Sequence, residues 1–344
     1  MLREFFQVDL EIINGYGATA KSSFIDAFYK RLPFTPILEK WKYSDKYSEV
    51  DFLYMRRVIH DRSLLKFLRE IKKNNEKTKI IYELPTYPYD RELKGFKNVP
   101  YILKDKINRS RLHKYVDRIV TFSNDTVIFN VPTIRITNGI DFVSTKKRKL
   151  RTVNHDINVI AVAVFSFWHG YDRFLRGMGQ YYAAGGKRNI LLHMVGDGVS
   201  MNEYKEIVEK YEIEDKVIFY GQKSGKELDK IYNISNIALE CLGSHRKGIS
   251  ISSSLKSREY GAKGLPIITS NKIDYIPDDY KYQLRVPDDE STINMEQVIY
   301  FFDRIYQTEG DFEKVNKKIR EFAEKNCDTS ITMRPVVEYI LGED

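Results

Sequence analysis

The sequence predicts an α/β protein made of two Rossmann-like domains that face a cleft. Three observations carry that expectation. Strand-length apolar runs alternate with helix-length amphipathic runs along the chain, the pattern of βαβ units on parallel sheets. Near the middle, the stretch Ser144 to Thr152 is charged and without periodicity, so it reads as an interdomain linker. The length of 344 residues exceeds one ordinary core and fits two domains.

Taken in order, the first half holds expected strands at Val8–Asn14, Val50–Met55, Lys79–Leu84, Arg118–Phe122 and Thr133–Thr137. Expected helices fill the gaps at Ala20–Leu32, Arg62–Lys73 and Tyr101–Tyr115. Beyond the linker the rhythm restarts, with strands at Asn158–Phe165, Asn189–Val195, Lys216–Tyr220, Ile237–Leu242 and Pro266–Thr269. Helices are expected between them at Tyr171–Tyr182, Met201–Tyr211, Lys226–Ile231 and Leu255–Ala262. A last helical block covers residues 292–340 with a break near Asp328. The resulting domains are 1–145, a linker 146–156, 157–325, and a C-terminal helical segment 326–344 that is a candidate to pack back on the first domain. Ligands on such sheets bind beyond the carboxyl ends of the strands, so the loops that follow strands are where chemistry is expected.

The composition is globular: 42% hydrophobic, 13% aromatic and 30% charged, with no low-complexity tract. Cys241 and Cys327 make neither a metal spacing nor a disulfide framework, which fits a reducing cytoplasm. No apolar stretch has the length to span a bilayer, and the N-terminus has no signal-peptide core. A soluble cytoplasmic protein is expected, with the inner face of the membrane as an alternative location. Residues 1–150 hold 30 Lys+Arg against 18 Asp+Glu, while the remainder holds 26 against 30. The basic half is a candidate for peripheral contact with an anionic membrane or a polyprenyl diphosphate; a solvated lysine-rich surface explains the charge equally well. Nucleic acid is not an expected partner, because no aromatic or helix-in-groove motif accompanies the charge.

The segment Glu240 to Ser270 is the richest in chemistry: a strand, a long polar loop, a short helix, a glycine turn and a strand. Ser252, Ser253 and Ser254 stand at the helix start, where hydroxyls and free backbone N–H groups converge on an anion. Lys256 and Glu259 are three apart and so project from one helix face, a lysine for phosphate and a glutamate for ribose hydroxyls. Taken alone, the run more often describes a serine cap followed by an ordinary surface pair.

The run Leu255 to Thr269 resembles the donor-site signature of the GT-B glycosyltransferases. It is similar in particular to the retaining group 1, or family 4, enzymes that include many of bacterial capsule and exopolysaccharide synthesis. The resemblance places Glu259 at the glutamate that contacts the donor's ribose. Further matches follow in family order: Asn138-Gly-Ile-Asp141, Trp168-His-Gly-Tyr-Asp172 and Val195-Gly196-Asp-Gly198. The chain also departs from the pattern. Val164 stands at the family's arginine and His169 at its lysine, and Ile251 replaces the first of two glutamates eight apart. His169, Arg173 one turn later, and the inserted His245, Arg246 and Lys247 are the candidates to supply the missing diphosphate grip.

In the first domain, Asn14 to Ser22 has some likeness to a phosphate-binding loop, but Ala20 stands where its final glycine is required. The resemblance instead sets Gly15 and Gly17 where backbone approaches donor phosphates or acceptor. Tyr82 to Arg91 leaves a strand with an acid, aromatics and a base, which suits a sugar: rings stack on pyranose faces and carboxylates hold hydroxyls. Arg56, Tyr87 and Tyr89 are thus acceptor candidates. Glu83, Asp90 and His169 are the catalytic candidates, with no general base assigned by spacing.

What the resemblance implies is a glycosyltransferase moving a sugar from a nucleotide-sugar, a UDP-sugar in the favoured case, to a glycan or lipid-linked glycan. Transfer would be retaining and independent of metal, without any cofactor, the leaving charge being met by helix N-termini and cations. Two rivals stay open: a nucleotide-sugar epimerase of the same fold, and a non-catalytic partner subunit descended from such an enzyme.

Overall fold

The structure, a computed structural model, describes residues 2, 6–10, 41–56, 60–89, 99–149, 156–309 and 311–343. The chain divides into two compact units, residues 1–137 with 333–344, and residues 138–332. The strand expected over Val8–Asn14 lies partly, and the helix over Ala20–Leu32 wholly, outside the described residues.

In the first unit the described elements are β1 (Phe52–Arg56), α1 (Arg62–Asn74), β2 (Lys79–Leu84), α2 (Val99–Arg109), β3 (Arg118–Thr121), β4 (Val127–Ile128) and β5 (Val131–Arg135). The Asp61 carboxylate accepts the Leu64 N–H at 2.9 Å and so starts α1. Leu64, Leu65, Phe67, Leu68 and Ile71 then bury one stripe against the sheet. Each large apolar side chain so buried contributes about 1.5–3 kcal/mol. The described strands lie in the order β1-β2-β3-β5-β4, parallel except for the β4–β5 hairpin. Alternation along β2 sends Ile80, Tyr82 and Leu84 toward α1, while Ile81 points to the opposite face. There Ile81, Val120 and Ile136 pack on Val336 and Tyr339 of the C-terminal helix Arg334–Leu341. Lys79 Nζ fastens that helix by donating to the carbonyls of Tyr339 (2.8 Å) and Ile340 (3.0 Å). The β4–β5 turn, at Phe129 and Asn130, has positive φ at both residues (51° and 61°). This is the backbone of a tight primed hairpin turn, which an Ile-Phe-Asn-Val string does not advertise.

The second unit holds β6 (Ile157–Val164), α3 (Tyr171–Ala183), β7 (Ile190–Asp197), α4 (Met201–Lys210), β8 (Val217–Gly221), α5 (Gly225–Ile234) and β9 (Ile237–Leu239). It continues with β10 (Ile251–Ser252), α6 (Leu255–Ala262), β11 (Ile267–Thr269), β12 (Lys272–Ile273), β13 (Gln283–Arg285), α7 (Met295–Glu309) and α8 (Phe312–Cys327). Six parallel strands run in the order β8-β7-β6-β9-β11-β13. From β6 the chain winds outward to β8, returns to β9, then winds outward on the other side. The order therefore reverses between β6 and β9. A crevice opens at the carboxyl ends of strands where such a reversal occurs, because the following connections leave to opposite faces. β6 is nearly continuous in apolar residues because helices cover both faces. β13 and the β10–β12 pair are too short to carry a period of their own. Among the described residues, no helix is long and apolar enough to cross a membrane.

Candidate functional site

A pocket of about 470 Å³ opens at the reversal point of the second sheet. Its walls are the end of β6 (Val162–Val164), the following turn with Trp168 and His169, and the segment after β9 with Glu240, Cys241, Ser244 and Lys247. Ser252, Ser254, Leu255 and Lys256, at the start of α6, close the other side. Two loops shape it, and they are laced together. Leu242 N–H donates to the His169 carbonyl at 2.8 Å, the Cys241 thiol to the Trp168 carbonyl at 2.8 Å, and Arg246 Nη1 to the Phe167 carbonyl at 2.6 Å. Gly170 lets them touch: its φ is +67°, and a Cβ there would sit 2.5 Å from Gly243 N. Gly196 does the same at the end of β7, with φ +132° and a Cβ position 1.8 Å from the Ala163 carbonyl.

The polar centre is a buried carboxylate with donors around it. Glu240 is 1% exposed; its Oε1 accepts from Ser254 Oγ at 2.6 Å and lies 3.9 Å from Lys256 Nζ, while Oε2 accepts the Cys241 N–H. Ser254 also accepts the Ser257 N–H at 3.1 Å, so one hydroxyl both caps α6 and holds the acid. Lys256 Nζ donates to Tyr171 Oη at 3.0 Å. Burial, with Glu240 close by, keeps the Tyr171 phenol protonated. Burial and Glu240 likewise push the Cys241 thiol up, so it stays protonated.

His169 is the other donor. Its ring stacks on Tyr171 at 5.4 Å, and burial, aided by Lys256, lowers its pKa to about 3. It is therefore neutral at physiological pH. The Ser166 N–H donates into Nδ1 at 3.2 Å, which leaves the ring proton on Nε2 as a donor. At the rim, the exposed Lys247 places its ammonium 3.6 Å from the Trp168 ring centroid. The pocket thus gathers two ammonium groups and a neutral N–H donor beside one screened carboxylate. Such a set attracts a multiply charged anion.

Of the residues expected to bind a donor, the structure brings His169, Lys247, Ser254 and Lys256 to the pocket. Gly196 takes part through backbone packing against Ala163, a lining residue. Four others are placed elsewhere. Arg173 is fully buried, and its guanidinium donates to the carbonyls of Ser291 (2.6 Å), Pro287 (2.9 Å) and Leu242. Arg246 is clamped by Asp172 (2.8 and 3.0 Å) and Glu290, which raise its pKa further. Neither guanidinium is free for a diphosphate. Ser253 Oγ is held by Arg258 Nη2 at 3.1 Å and accepts the Asn138 N–H at 3.3 Å. Glu259, three residues after Lys256, does not line the pocket: its neighbours are Tyr232 and Asp229 of α5 and Lys263, and burial raises its pKa.

In the first unit, Arg56 ends β1 and pairs in register with Glu83, the next-to-last residue of β2. Arg56 Nε lies 3.3 Å from Glu83 Oε1, and Tyr54 Oη donates to Oε2 at 2.5 Å. Tyr87 packs edge-on to Phe129. Tyr89, expected to meet a sugar, is 1% exposed and donates to Asp105 Oδ2 at 2.7 Å, so it is a core residue. Gly15, Gly17 and Asp90 lie outside the described residues. Sequence reasoning quoted Glu240, Tyr171 and Trp168 within its motifs but gave none of them a place in the site. For Glu240 a signal was present, since an acid directly ends an apolar strand that becomes the fourth of its unit.

Residues 142–279 match the profile of the family described as glycosyl transferases group 1. No curated protein is matched by sequence. Among solved structures, the chain is similar to a glycosyltransferase from Rickettsia africae (TM-score 0.57, 13% identity, 87% of this chain and 79% of that one). It is also similar to HepE of Anabaena, solved with UDP and glucose (TM-score 0.56, 11% identity, 86% and 79%). Sucrose-phosphate synthase of Thermosynechococcus elongatus gives a TM-score of 0.55 at 14% identity, over 86% of this chain and 74% of that one. At these identities the likeness is one of fold, the GT-B fold.

Proposed function

We propose that this chain is a glycosyltransferase of GT-B fold that moves a sugar from a nucleotide-sugar onto a glycan or lipid-linked glycan acceptor, a reading supported by the group 1 match over residues 142–279. A UDP-sugar is the favoured donor, a choice supported by HepE, whose structure holds UDP and glucose. The observation that carries the reading is Lys256, held 3.0 Å from Tyr171 beside the buried Glu240 in a pocket at the strand-order reversal. In this reading the Lys256 ammonium, the His169 Nε2–H and the Lys247 ammonium receive the diphosphate.

As the anomeric carbon parts from the leaving oxygen, negative charge grows on the diphosphate, and fixed donors there lower the barrier without reorganising. The bond from the anomeric carbon to the acceptor oxygen forms as that bond breaks, and the acceptor's proton leaves with the diphosphate. His169, held neutral far below physiological pH, supplies a hydrogen bond here and neither takes nor gives a proton. Transfer proceeds without a metal and with retention of anomeric configuration. In the first unit, Glu83, backed by Tyr54 and Arg56, is the group suited to hold an acceptor hydroxyl.

The test is thermal stabilisation by UDP, GDP, ADP, CMP and dTDP, on the wild type and on Lys256→Ala. A nucleotide at about 100 times its dissociation constant adds roughly 2.7 kcal/mol of stability. A shift with UDP that Lys256→Ala abolishes supports the site. No shift with any nucleotide sinks it and favours the partner-subunit reading. Turnover in the presence of a chelator and the anomeric signal of the product then examine metal independence and retention.

A further inference from the structure

Helix α2 of the first unit is inside-out. Its buried residues are polar: Lys104 (2% exposed), Asp105 (1%) and Asn108 (5%). Its exposed residues include Val99 (44%), Leu103 (56%) and Ile107 (55%), four apart and so stacked along one face. An ordinary surface helix shows the reverse. The inward face is polar because it docks through an ionic network: Asp105 accepts from Arg109 Nη1 (3.0 Å), Tyr89 Oη (2.7 Å) and the His60 N–H (2.8 Å), with His60 Nδ1 at 2.7 Å. Among the described residues, the exposed stripe belongs to no hydrophobic cluster of the fold. It is followed by exposed Lys106, Arg111, His113 and Lys114, whereas the one acid of the segment 99–115, Asp105, is buried.

An apolar stripe bordered by basic residues is the pattern of a helix lying in the interface of an anionic bilayer, with short apolar side chains at the acyl boundary and ammonium groups among the phosphates. We propose that α2 is a membrane-docking helix, which seats Val99, Leu103 and Ile107 in a lipid surface of negative charge. The inference is independent of the donor pocket, which lies in the other unit.

The experiment is co-sedimentation of the full chain with vesicles of phosphatidylcholine alone or with phosphatidylglycerol added. The wild type should favour the anionic vesicles and lose that preference in high salt. Leu103→Ser with Ile107→Ser should weaken binding roughly tenfold or more, since both side chains leave the acyl boundary. Lys106→Glu with Lys114→Glu should weaken it by more than about fivefold per charge removed. All four positions are exposed, so the melting temperature should hold, and the two double variants check each other if one does not. Wild type that ignores anionic vesicles overturns the proposal, as do variants that bind like the wild type. A dimer that Leu103→Ser with Ile107→Ser dissociates, with vesicle binding unchanged, assigns the face to a second copy instead. The UDP melting shift on the same variants reports the donor site separately.

Discussion

Each unit carries a buried acid at or near the carboxyl end of a strand, and the two acids are held differently. Glu83, next to last in β2, meets Tyr54 and an Arg56 that is 64% exposed. Glu240, just past β9, is enclosed by Ser254, Lys256 and two laced loops. The difference is topological. Among the described residues, β1, β2 and β3 lie side by side in chain order, with no reversal between them. In the second unit the order reverses between β6 and β9, the following loops diverge, and the space between them becomes the site. In the second unit a strand-end carboxylate is thus enclosed through the connectivity of its neighbours.

Five substitutions, one of them read in an acid titration, can break or sharpen this contrast. Gly196→Ala should act most strongly: a Cβ 1.8 Å from the Ala163 carbonyl, on backbone at φ +132°, should cost about 3 kcal/mol or more in chemical denaturation. A loss under about 1 kcal/mol would mean that the end of β7 yields more easily than the pocket requires. Lys256→Ala should weaken UDP binding about a hundredfold, close to 2.7 kcal/mol, as read by calorimetry. If affinity is retained, the cationic side of the pocket has been misplaced.

Acid titration should separate the units next. His169 at about 3 and His193 at about 4 both lie below an unfolded value near 6.5. Protons therefore bind the unfolded chain first, and the histidines' stabilisation, complete above about pH 6.5, is lost as the pH falls toward 4. His193→Gln should flatten that slope in denaturation curves taken across this range. An unchanged slope would show that the buried histidines of the second unit do not set its acid limit.

Smaller effects are expected from the first unit. Tyr89→Phe removes a donor to the buried Asp105 and should cost about 1–2 kcal/mol of stability while leaving UDP affinity untouched. A fall in sugar-acceptor affinity without loss of stability would reverse its assignment to the core. Arg56→Ala, which removes the exposed partner of the buried Glu83, should cost about 1 kcal/mol or less of stability. A larger loss in denaturation would mark the pair as structural.

By itself, the sequence determined what depends on local periodicity and turn chemistry. The alternation of β6, α3, β7, α4, β8 and α5 is legible residue by residue, because apolar period and glycine placement are written in one dimension. Ser254 as the cap of α6 belongs to the same class. The motif Val195-Gly196-Asp-Gly198 stood out as a match in family order, while the close approach of its backbone to Ala163 is a fact of the structure. Only the tertiary structure decided where charged side chains finish. Arg173, Arg246 and Lys256 look alike as cations along the chain, but one ends among backbone carbonyls, one between two acids and one in the pocket. The buried side of α2 was hidden for the same reason. Its Asp105 is satisfied by His60 and Tyr89, residues 45 and 16 positions away, and no local pattern announces partners at such range. Hydrophobic period fixes elements through neighbours three or four apart, whereas the environment of a charge is made by whatever the fold brings beside it.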